Sequence, residues 1–146
     1  MTTQTQVLPF RPLFAGAAGF ASLDMLVWGT FLHLGWLPVA VLSPLLWHGH
    51  EMLFGFAGAL IGGFLLTAAA NWTGLRTTTP PVLAMLMLLW LSARIAMFLP
   101  GTMLMLAAVL DVAYLLLLAL LVGRVVLRAD NGHNIYVSGF LLVHAA

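Results

Sequence analysis

The chain has 146 residues, of which 63% are hydrophobic and 6% charged, with a mean hydropathy of +1.11. Polar groups are too few to cover a water-soluble globule, so an integral membrane protein is implied. Five arginines, no lysine and a formal charge of +1 are too sparse for a nucleic-acid surface, and the absence of cysteine excludes disulfides and thiolate metal sites.

The N-terminal stretch "MTTQTQVLPFRP" is polar, and no small-residue cleavage site follows a short apolar core. No removable signal peptide is read there, and the first apolar segment is expected to stay as a helix. Apolar runs near 13–34, 46–70, 81–99 and 103–127 each reach the roughly 20 residues that cross a bilayer. The breaks between them are "GWLPVAVLSP", with two prolines, the polar "NWTGLRTTTPP", and "LPGT", where Pro100 and Gly101 stop one helix before the next. The third and fourth segments are therefore expected to form an antiparallel hairpin. Beyond Arg128 and "ADNGHN", the segment 135–146 is too short to span and reads either as a partial fifth helix or as an interfacial tail. The expected fold is an all-α polytopic transmembrane bundle, one domain over 1–146. With a cytoplasmic N-terminus, Arg11, Arg76, Arg124 and Arg128 all fall on the cytoplasmic side and the opposite loops carry no Lys or Arg. The bias predicts that orientation in a bacterial inner membrane.

Ionisable residues within the spans gather toward the outer side. His33 ends the first segment, and His48, His50 and Glu51 open the second. Arg94 lies about 9 Å below the outer end of the third segment, and Asp24 and Asp111 lie near mid-membrane. Charges in lipid are costly unless paired or facing a cavity, so Asp24, Arg94 and Asp111 are functional or structural suspects. Across the expected hairpin, Arg94 and Asp111 are offset by about 6 Å, which a long arginine bridges. Asp24 has no evident partner, so it is either protonated or paired across the bundle.

In "WHGHEMLFGF", residues 47–56, regular helix geometry puts His48 and Glu51 on one face and His50 about 200° away from His48. The two histidines are expected to do different jobs, His48 facing the interior with Glu51 as its partner or as a metal ligand itself. The plainer alternative is interfacial histidines beside an interfacial Trp47. Gly58 and Gly62 have the small-xxx-small spacing that admits a close helix or a flat cofactor.

The segment "WHGHEMLFGFAGALIGGFLLTAAANWTG", residues 47–74, resembles the signature region of the NnrS family, with weaker matches in "FRPLFAGAA", "WLSARIAM" and "LDVAYLLLLALLVGR". The resemblance covers essentially the whole chain. It implies a polytopic membrane protein with haem b and copper, histidine ligation, and a part in denitrification or the response to nitric oxide and nitrosative stress. The motif positions carried over are Trp47, His48, His50, Glu51, Asn71, Trp72 and Arg94. For cofactor binding the candidates are His48, His50, Glu51 and His33, and for metal His48, His50 and Glu51. Family members have many more spanning helices, so the chain is expected to be either part of a longer protein or a short relative that completes its pocket as a homo-oligomer.

Three functions compete. The first is a haem or copper redox protein acting on or sensing nitric oxide, where imidazole suits iron and copper and a neutral pocket suits a small diatomic. The second is a proton-coupled transporter or permease subunit using Asp24, Arg94 and Asp111. The third is a membrane assembly subunit without chemistry. No nucleophile constellation or phosphate-binding glycine loop is present, so hydrolysis and phosphoryl transfer are excluded and no catalytic residue is assigned. Whether the chain is an enzyme stays open.

Overall fold

The computed structural model describes residues 10–37, 42–99 and 101–129. The segment 135–146 and Pro100 lie outside them. Helix α1, Phe10–Leu34, ends where Gly35 turns to φ +68 and its N–H reaches the Phe31 carbonyl at 2.8 Å. That left-handed conformation is costly for any side chain, which is why glycine terminates the helix. The second span runs from Pro44 to Thr73 without a break, as helix α2 (Pro44–His50), a π-helical segment (Glu51–Ala57) and helix α3 (Gly58–Thr73). It opens on Ser43, whose hydroxyl accepts the Leu46 N–H at 3.4 Å, with Pro44 in the first turn where its missing N–H costs nothing. It closes on Gly74 at φ +68. Helix α4, Pro80–Met97, starts at the proline pair after an extended Thr79, and a 3₁₀ turn at Gly101–Met103 leads into α5, Leu104–Arg128.

Four helices are thus long and apolar enough to cross a membrane, and no strand occurs among the described residues. Each lies within a few residues of its expected bounds. The π-helical turn inside the second span was not expected.

Helices α4 and α5 form the hairpin, α3 lies against α5, and α1 lies against α3 and the π segment. The second span is therefore the middle element, with α1 on one side and the hairpin on the other. The main core joins Leu13, Leu66, Leu86, Trp90, Tyr114 and Leu118, and a smaller cluster joins Trp47, Ala96, Met97 and Ala107 at the end that carries the histidines. Lipid is as apolar as leucine, so close packing holds these helices together more than the hydrophobic effect does. Glycine matters at two contacts. A Cβ on Gly55 would run into the Phe20 ring of α1, and one on Gly62 into the Tyr114 hydroxyl of α5. The Gly58 to Gly62 spacing thus serves helix packing, with Tyr114 filling the place open to a flat cofactor.

At the opposite end, Thr77 is buried and donates to the Leu66 carbonyl at 2.9 Å, while Arg124 donates to the Thr77 carbonyl at 3.0 Å. This clasp ties the α3–α4 loop to α5. The bundle has an arginine end, with Arg11, Arg76, Arg124 and Arg128, and a histidine end.

Candidate functional site

A π turn widens the helix and leaves backbone carbonyls that a regular helix would satisfy. Two side chains from the hairpin donate to carbonyls in this turn and just after it. The Trp90 indole donates to the Gly55 carbonyl at 2.8 Å, and the Tyr114 hydroxyl donates to the Gly58 carbonyl at 2.9 Å. Both side chains are almost fully buried, so the wide turn is braced from α4 and α5.

The first residue of that turn is Glu51, fully buried, whose Oε1 accepts from Arg94 Nη1 at 3.1 Å and lies 3.0 Å from His50 Nδ1. Arg94 Nη2 meets both oxygens of Asp111, at 2.5 and 2.6 Å. His50 Nε2 lies 3.5 Å from Asp111 Oδ2, closing a ring of His50, Glu51, Arg94 and Asp111. Phe54 stacks on His50, with ring centroids 4.7 Å apart. Two buried atoms of the ring, Glu51 Oε2 and Arg94 Nε, have no hydrogen-bond partner among the described residues.

A second pair lies toward α1. His48 Nδ1 is 2.9 Å from Asp24 Oδ2, and the His48 ring lies flat on Trp28, centroids 4.3 Å apart and planes 9° apart. The approach of the two groups is close but oblique. Neither Asp24 oxygen nor His48 Nδ1 makes a well-directed hydrogen bond among the described residues, although Asp24 is 2% exposed. Proximity holds the pair, with Trp28 setting the plane of the imidazole. Across both groups, three carboxylates gather near one guanidinium and two imidazoles.

The buried Arg94–Asp111 pair is present at the offset the hairpin dictates, and Asp24 finds its partner across the bundle in His48. The two histidines do have different partners. The assignment of Glu51 to His48 is corrected: Glu51 contacts His50 and Arg94. His48 is turned to Asp24 and Trp28 of α1, while the Glu51 side chain turns to its neighbour His50 and to Arg94 of the hairpin. Trp47 is fully buried and packed edge-on to Phe98, its indole N–H without a partner among the described residues.

His33 stays apart, exposed in the last turn of α1 where a cationic side chain suits the helix dipole. Nine residues beyond Asp24, it sits about 13 Å farther along the axis than the Asp24–His48 contact. Asn71 and Trp72 are exposed at the arginine end, far from the ring. Trp28, Trp90 and Tyr114 belong to the site and were not singled out by sequence reasoning. For Trp28 a signal existed, since it follows Asp24 by four residues and so shares its helix face.

Among the described residues, no three His, Asp or Glu side chains converge as a metal ion would require. His48 alone has the features of a single imidazole ligand: Nδ1 is set against a carboxylate, and Nε2 makes no hydrogen bond among the described residues. Both nitrogens of His50 face carboxylates.

Comparison with known proteins matched the model of one family, described as NnrS protein, to residues 6–146. No curated protein and no solved structure matched the chain.

Proposed function

This chain belongs to the NnrS family, and on that premise we propose that it is a haem-binding membrane protein of the nitric oxide or nitrosative-stress response, set in a bacterial inner membrane with its arginine end cytoplasmic. The observation that supports this reading is His48. Asp24 beside Nδ1 and the flat stack on Trp28 fix the ring, and a carboxylate behind an imidazole raises its basicity as a ligand. The Nε2 atom is left to bind. When bound, haem supplies an iron centre for a small uncharged diatomic and for one-electron chemistry. The protein's part is to orient that imidazole and, through the neighbouring ring of Glu51, Arg94 and Asp111, to hold fixed charges beside it. Copper does not fit the described residues, which gather no closed donor set, and no step is drawn through it.

The chain expressed in a haem-replete membrane and purified should carry a Soret absorbance. His48→Ala should remove that band while His50→Ala leaves most of it. A colourless unmodified chain refutes the haem reading.

A second reading, a subunit of a proton-coupled transporter, is favoured by the three buried carboxylates gathered around a single guanidinium. It predicts proton flux in vesicles that Asp24→Asn stops. A chain with neither Soret band nor flux is an assembly subunit.

A further inference from the structure

At the arginine end, a groove of about 490 Å³ runs along α4 beside the start of α1 on the outside of the bundle. Pro12 and Pro80 line it at one end, Ala84 and Met87 along its length, and Trp90 and Leu91 toward mid-membrane. We propose that this groove is a binding site for an anionic phospholipid, with one acyl chain in the groove and its phosphate on Arg11.

Three observations carry this. The first is length: from Pro80 to Leu91 the groove follows α4 for about 16 Å, close to half of the roughly 30 Å hydrocarbon core and so to the chain of one leaflet. The second is chemistry. Every lining side chain is apolar except Trp90, and the Trp90 indole N–H is already given to the Gly55 carbonyl. A ligand in the groove meets carbon alone, which suits a saturated tail and offers nothing to the ring of a quinone. The third is charge. Arg11, next to Pro12, is exposed and makes no hydrogen bond or ion pair among the described residues, at the level where a headgroup phosphate lies.

The test uses the whole chain in nanodiscs of equal phosphatidylglycerol and phosphatidylcholine, transferred to mild detergent, with retained lipid identified by native mass spectrometry. Retained phosphatidylglycerol should exceed phosphatidylcholine by about fivefold, the size expected of one interfacial arginine acting on an anionic headgroup. Arg11→Gln should bring the ratio close to one. Ala84→Phe, at an exposed groove position, should lower the total lipid retained while helix content by circular dichroism is unchanged. If Ala84→Phe loses its fold, Arg11→Gln alone decides, since Arg11 is exposed. Retention in the bilayer's own ratio by the unmodified chain, an enrichment indifferent to Arg11→Gln, or a retained isoprenoid quinone in place of phospholipid overturns the proposal.

Discussion

Arg94 and Asp111 face each other across the α4–α5 hairpin so that one guanidinium nitrogen lies 2.5 and 2.6 Å from the two carboxylate oxygens, both residues almost wholly buried. Arg94 spends its other terminal nitrogen on Glu51. It is thus the one guanidinium within a ring containing two carboxylates, and the three helices that surround the site meet on it.

That arrangement predicts an order of damage. Arg94→Leu strands both Glu51 and Asp111 and should cost about 3 to 5 kcal/mol, while Asp111→Leu leaves Arg94 its bond to Glu51 and should cost less. Replacing Arg94 and Asp111 together should cost less than the sum of the two single changes. Thermal unfolding in detergent measures all three; strictly additive losses would mean that the two groups do not act as a pair.

The braced π turn gives a second prediction. Gly62→Ala places a methyl group against the Tyr114 hydroxyl and should destabilise by about 1–3 kcal/mol, the usual range for overpacking a close contact. Tyr114→Phe removes that hydroxyl but leaves the Gly58 carbonyl without its donor, a cost of about 1 kcal/mol when made alone. Combined, the two should be less harmful than their sum, because the clash disappears with the hydroxyl. Full additivity would show that α3 and α5 adjust around the alanine.

The four arginines at one end of the bundle lead to a third prediction. Reporter fusions at Gly74, at the arginine end, should read cytoplasmic, and fusions at Gly101, at the histidine end, should read periplasmic. The reverse pattern overturns the orientation, and with it the placement of the histidines on the outer side.

How much of this was legible in the residues depends on how far apart along the chain the partners lie. The spans could be read because prolines and glycines mark their ends: Pro44, Gly74 and Pro80 punctuate the helices where they stand in the sequence. The Arg94–Asp111 pair could be read because a short turn fixes the register of one helix on the next. Asp24 and His48 belong to helices joined by a longer connection, and no local rule sets the rotation of one against the other. The π turn has no compositional signature. Backbone geometry up to Glu51 is regular, so its choice of Arg94 and His50 over His48 is set by a partner 43 residues away, which local spacing does not reveal.

The corrected partner yields the last prediction, on the two histidines. His48 is backed by Asp24 and flattened on Trp28, whereas Glu51 is held by Arg94 and His50 on the other side of the span. If His48 is the haem ligand, the carboxylate that tunes it is Asp24. Asp24→Asn should therefore weaken haem retention by about 10- to 100-fold, the range for losing a partner behind a metal-bound imidazole. Glu51→Gln should leave retention within a few-fold and lower thermal stability instead, since it loosens the Arg94 ring. Titrating haem from the purified chain with a competing haem-binding protein separates the two. Equal losses for Asp24→Asn and Glu51→Gln would place both histidines at one shared site, and a loss confined to Glu51→Gln would make His50 the ligand, with Asp24 and His48 a structural pair between α1 and the second span.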